Sequence, residues 1–179
     1  PYIDNASIEN AIHCWALLLY LGYNNKTIKN RFLSLSPIEM RLELKEGINN
    51  CSIINDSYSA DFNSLVIALD FINIQKQNKN KTVIISDILQ TGKNDDDIYI
   101  ELNKILLLKG ITKLIGIGKK IKKNGNLFNI NKQFYLTTKE FINNFDIDSY
   151  NDETILIKGA RVFEFEKIAI WILFEICCL

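Results

Sequence analysis

The sequence predicts a three-layer α/β fold around a mainly parallel sheet, preceded by a short helical segment. From residue 39 onward, short runs rich in isoleucine alternate with stretches of helical periodicity, the order in which a parallel sheet is assembled. One of those runs, "KTVIISD" at 81–87, is continuously apolar, as a strand covered on both faces must be. Residues 1–38 instead carry two helical patterns with no strand of their own, so they read as the end of a preceding domain, and 39–179 as one α/β domain.

Each element follows from its residues. "SIENAIHCWALLLYL" at 7–21 places apolar side chains at helical spacing, with Ser7 positioned to cap and Gly22 to stop it. A second helix over about 26–34 ends before Pro37. "RLELKEG" and "CSIIND" predict two paired strands joined through Gly47, Asn49 and Asn50, and 62–75 a helix with Leu65, Ala68, Leu69 and Ile72 on one face. The strand at 81–87 is followed by a helix over 96–109, the strand "KLIGIG" at 113–118 and a basic loop through 119–126. A short strand near "QFYL", a helix over 138–145, the strand "TILIKG" at 154–159 and a last helix from 162 complete the chain.

Composition bounds the function. At 179 residues, 47% hydrophobic and 23% charged, the chain can bury a core and is not a disordered segment. Lysine plus arginine equals aspartate plus glutamate at 21 each, which offers no field for nucleic acid or an anionic membrane. No apolar stretch approaches the ~20 residues of a bilayer span and no signal segment opens the chain, so the expectation is a cytoplasmic protein. Cys14, Cys51, Cys177 and Cys178 lack metal-ligand spacing and read as buried, reduced thiols. His13, the lone histidine, has neither triad nor zinc partners nearby in sequence. A start at Pro1, with Met40 as the single methionine, reads as a fragment of a longer product.

Ligands of an open parallel sheet collect at the carboxyl ends of its strands. Four strands here end in polar or glycine corners, "NDSY" at 55–58, "SDILQTG" at 86–92, "GIGKK" at 116–120 and "KGAR" at 158–161, and all four are expected along one edge. "GIG" does not extend to GxGxxG, and the lysines from 119 to 123 read as a solvated face rather than a phosphate cradle. Asp56 could cap a turn or accept hydrogen bonds from ribose hydroxyls. Arg41, at the start of a strand, could be an ordinary surface residue or reach a phosphate with its fork of donors. Lys158 could simply solubilise a strand end.

Five segments in order resemble one family. "INDSYSADFNSLVIALDF" looks like the "nDsYNANPxSmxaAL" corner of the Mur ligases, in the branch that adds D-alanyl-D-alanine to UDP-N-acetylmuramoyl-tripeptide. "MRLELKEG" resembles the arginine-containing start of that family's carboxy-terminal domain, "SDILQTG" its "GDMLELG" and "ILIKGAR" its "vLvKGSR". "ASIENAIHCWALLLYLG" resembles the helix that closes its central ATP-binding domain. The wording of these motifs looks closest to ligases fused to an alanine racemase. The chain departs from the pattern where "YNAN" is Tyr58, Ser59, Ala60, Asp61 and where the earlier "HN" position holds Ala6 and Ser7.

The resemblance implies a Rossmann-like third domain behind a helical remnant of the ATPase domain. It implies an ATP- and Mg2+-dependent amide ligase of peptidoglycan synthesis working through an acyl phosphate. Its partners would be UDP-N-acetylmuramoyl-tripeptide, D-alanyl-D-alanine, the rest of the ligase and a possible racemase domain. Carried over by residue, Asn10 matches an adenine contact, Arg41 a residue reaching toward the nucleotide and Asp56 a ribose partner, while Tyr58, Asn63, Ser64, Lys158 and Arg161 would face the incoming dipeptide. No GxxGKT-type phosphate loop occurs in the sequence, so this chain alone is expected to be inactive and the magnesium ligands to lie elsewhere in the ligase. Other ligases of the superfamily, diamino-acid-adding or folylpolyglutamate-forming, and a non-catalytic nucleotide-binding or interaction module remain alternatives.

Overall fold

The computed structural model describes residues 5–35, 40–75, 78–89 and 94–174. Pro37, the "QTG" of the second corner and the two carboxy-terminal cysteines fall outside those residues. The chain forms two compact units, Pro1–Glu39 and Met40–Leu179.

In the first unit, α1 (Asn5–Tyr20) and α2 (Asn25–Leu33) form a helical hairpin. Asn24 caps α2 by accepting the Thr27 amide at 2.8 Å. Ser7 lies inside the first turn of α1 rather than before it, because the helix starts two residues earlier. Trp15 joins the helices, its ring 5.2 Å from Phe32 and its indole N–H donating to Asn25 Oδ1 at 3.0 Å. Beside it runs an apolar groove of about 530 Å³ lined by Ile8, Ile12, Trp15, Leu19 and Phe32. Cys14 is exposed, contrary to the buried thiol expected, whereas Cys51 in the second unit is buried.

The second unit is a six-stranded sheet in the order β1-β2-β6-β3-β4-β5. Its strands are β1 (Glu43–Glu46), β2 (Ser52–Asp56), β3 (Asn80–Ser86), β4 (Lys113–Ile117), β5 (Asn131–Tyr135) and β6 (Glu153–Lys158). β1 pairs antiparallel with β2, and every other pairing is parallel. β1 and β2 turn through Asn49 (φ 48°) and Asn50 (φ 59°), a left-handed conformation that asparagine tolerates better than most residues.

Strand residues alternate between two cores because successive side chains point to opposite faces. Ile54, Val83, Ile85, Leu114 and Leu156 pack with α3 (Phe62–Ile74) and α4 (Asp95–Leu108). Ile53, Ile84, Ile115, Ile155 and Ile157 pack on the other face with α6 (Thr138–Asn143) and α7 (Glu166–Phe174). That double coverage makes the three layers and explains the continuous apolar strands.

Three boundaries differ from expectation. The basic loop contains a short helix, α5 (Lys119–Lys123), whose Ile121 is fully buried. The last helix begins at Glu166, not 162: Arg161–Phe163 form a 3-10 turn that ends in left-handed Glu164 (φ 54°) and drops Phe165 into the core. Arg41 precedes β1 instead of starting it, and lies between Met40 (φ 61°) and Leu42 (φ 48°).

Candidate functional site at the carboxyl edge of the sheet

Parallel pairing brings the expected corners to one edge. Asp56 at the end of β2 is in register with Lys158 at the end of β6, Lys158 lies beside Ile85 of β3, and Ser86 lies beside Ile117 of β4. All these positions are buried, so the edge is a packed rim.

Its centre is an ion pair. Lys158 Nζ donates to Asp56 Oδ2 at 2.7 Å, with side-chain exposures of 1% and 10%. Burial pushes the Asp56 carboxyl above its usual range, against the opposing pull of Lys158, the Leu42 backbone and Arg41. A carboxylate offers about four lone-pair sites. Lys158 and Leu42 leave some of that capacity for a ligand hydroxyl. Lys158 itself is 0% exposed, so it does not line an open surface as the motif reading expected; its ammonium serves Asp56.

Two residues beyond Asp56 comes Tyr58, 44% exposed. The Arg41 guanidinium lies over its ring at 4.4 Å and that of Arg161 at 6.0 Å from the centroid. Both arginines are exposed. The corner therefore gathers a half-exposed tyrosine ring and two exposed forks of donors, suited to phosphate or carboxylate oxygens.

The opening of α3 is occupied by its own cap. Asp61 accepts the Ser64 amide at 2.9 Å and the Ser64 hydroxyl at 2.5 Å. Burial works to raise the Asp61 carboxyl, but the two Ser64 bonds hold it below its ordinary range. Ser64 is thus committed to the helix start, whereas Asn63 is exposed in the first turn. Asn10 is exposed on α1, in the other unit.

Asp87 and Ser86 were not singled out by sequence reasoning. Asp87 accepts the amides of Lys120 at 3.2 Å and Ile121 at 2.8 Å, filling the start of α5 with a carboxylate of this chain. The "GIGKK" corner is therefore no phosphate cradle, and the neighbouring acid of "SD" was the available signal. Ser86 Oγ accepts the Ala160 amide at 3.1 Å and ties the turn after β6 to β3. Among the described residues, no three metal-ligating side chains come together, and no helix is long and apolar enough to cross a membrane.

No family model matches this chain. Curated relatives do. It is 35% identical over 125 residues, 68% of its length, to the UDP-N-acetylmuramoyl-tripeptide--D-alanyl-D-alanine ligase of Rickettsia prowazekii. It is 25% identical over 170 residues, 94% of its length, to the ligase of the same name from Buchnera aphidicola. The chain spans 27% and 37% of those two proteins. The fold is that of the ADP complex of Thermotoga maritima MurF, with a TM-score of 0.71 at 14% identity over 94% of this chain and 38% of that one. Shared fold and shared sequence agree on one conclusion: this chain belongs to the Mur ligase family and corresponds to its carboxy-terminal portion.

Proposed function

We propose that this chain forms the carboxy-terminal part of a cytoplasmic, ATP-dependent ligase that joins D-alanyl-D-alanine to UDP-N-acetylmuramoyl-tripeptide in peptidoglycan synthesis. The observation that carries the reading is the rim itself: an acceptor, two guanidinium forks and an aromatic face sit together where ligands of parallel sheets bind. The names of the two relatives supply the reaction class. Resemblance to racemase-fused ligases extends the proposal to an accompanying alanine racemase.

In this reading Asp56 accepts ribose hydroxyls, Arg41 reaches the phosphates of ATP, and Asn10 contacts adenine. Tyr58, Asn63, Ser64 and Arg161 form the side on which the dipeptide arrives, and Arg161 supplies the donor fork for its carboxylate. Condensing a carboxylate with an amine needs the carboxylate oxygen converted to a leaving group, which ATP provides by forming an acyl phosphate. The amine of D-alanyl-D-alanine then attacks the acyl carbon and phosphate departs. This chain's part is to hold the nucleotide and orient the amine. The magnesium that accompanies the nucleotide would be held by the rest of the ligase, since the described residues bring no three metal-ligating side chains together.

A ligation assay with ATP, UDP-N-acetylmuramoyl-tripeptide and D-alanyl-D-alanine tests the proposal. The 179-residue chain alone is expected to show no turnover, and turnover above background would refute its role as one part of the ligase. In the complete ligase containing it, Asp56→Ala is expected to raise the KM for ATP about tenfold or more, the scale of a lost hydrogen bond to charge. An unchanged KM and rate would remove Asp56 from the nucleotide site.

A further inference from the structure

We propose that Lys158 is a positioning residue for nucleotide binding, acting through Asp56 and touching no substrate. The inference rests on the ribose role given to Asp56 above. The geometry separates the two members of the pair: Lys158 has a side chain only 1% exposed, while Asp56 keeps 10% of its side chain open at the rim. The ammonium lies behind the carboxylate, and a ligand meets the carboxylate first.

Three features make that support rigid. Asp56 and Lys158 are register partners on adjacent parallel strands, and Lys158 also pairs with β3, so its backbone is held on both sides. The turn that follows is pinned by the Ala160 amide to Ser86 Oγ. Gly159, next in sequence, is buried, and Phe165 occupies the space where a Cβ would be.

A buried ion pair is weak as a source of stability, since an apolar pair of similar size does as well. The neighbouring β6 positions, Ile155, Leu156 and Ile157, show that this strand can take apolar residues. What the lysine adds is orientation and neutralisation: it fixes which carboxylate oxygen faces outward and cancels a charge that would repel an anionic nucleotide. The other charged groups around Asp56 are Arg41, ahead of β1, and Asp61, at the α3 cap, which also feels Lys158.

The test uses the complete ligase with Lys158→Met, Asp56→Asn and the double variant. Lys158→Met is expected to raise the KM for ATP about tenfold or more while leaving that for D-alanyl-D-alanine within about twofold. The double variant is expected to be no worse than Asp56→Asn alone, because a residue acting only through Asp56 has nothing left to act on. Losses that multiply, or a raised KM for the dipeptide, would overturn the proposal. If Lys158→Met does not fold, the double variant, which leaves no unpaired charge, decides by the same comparison.

A readout without turnover is the carboxyl-carbon NMR titration of Asp56 in the 179-residue chain. Removing the ammonium with Lys158→Met is expected to move it upward by about one pH unit or more, and an unmoved titration would overturn the proposal. An unchanged ATP KM in Asp56→Asn would instead bring down the ribose role on which the proposal stands. A raised ATP KM in Asp56→Asn, with losses that multiply in the double variant, would bring down the Lys158 proposal alone.

Discussion

Gly118 carries φ 142°, and a Cβ at that position would run into the Asp87 carboxylate. Gly118→Ala is therefore expected to destabilise the fold by about 1–3 kcal/mol, read from the denaturant midpoint. Glu153, 5% exposed at the opposite end of β6, is a different case. Burial raises its carboxyl above the ordinary range despite the bond donated by the Thr82 hydroxyl and the charge of Lys113. A raised folded value favours the protonated acid: its stabilisation is whole below the unfolded value of about 4.3 and is lost as pH rises through the folded one. Glu153→Gln should remove that component, giving a higher melting temperature at neutral pH and a flatter profile on the acid side. A melting curve series from about pH 4 to 7 checks both.

At the level of elements, α3 depends on a cap that its residues announce. Asp61 followed by Ser64 is a helix start, and Asp61→Ala should cost about 1 kcal/mol, measurable as a lowered denaturant midpoint. α7 depends on packing: Ile168 and Ile172 are fully buried against the sheet, and Ile168→Ala should cost about 2–5 kcal/mol. The contrast explains what could be read in advance. Strands such as β3 are legible because burial on both faces makes Val83, Ile84 and Ile85 apolar in succession. α5 was not, because four lysines in five residues argue against a helix, and what starts it is Asp87, 33 residues away from Lys120. Likewise Asp56 was visible as a candidate, but its bond to Lys158 spans 102 residues and exists only once β2 and β6 are neighbours. The start of α7 was misread because left-handed Glu164 is set by Phe165 entering the core, not by local propensity.

For the whole molecule, the two units differ in how their apolar residues are spent. The second surrounds its sheet, while the first leaves Ile12 61%, Leu17 58% and Tyr20 87% exposed. Deleting residues 1–39 is expected to preserve one cooperative unfolding transition and to lower the fluorescence of a hydrophobic dye bound to the native protein; a lost transition would show that the second unit needs the first. Fold class and the gathering of the strand-end corners along one edge were accessible from the order of elements alone, because strand alternation with helices constrains topology. The division of labour at that edge was not, since it depends on which side chains the closed sheet leaves open.

The sheet's two flanks have one more consequence. β1 carries Glu43, Lys45 and Glu46 around a single exposed Leu44, and β5 exposes Asn131, Lys132 and Gln133. A parallel sheet this rich in isoleucine would be hazardous if its margins invited another chain, because unpaired backbone is a template for aggregation. Charged and amide side chains at both margins discourage that recruitment, so the hydrophobic strands remain internal and the protein can accumulate without growing fibrils edge to edge.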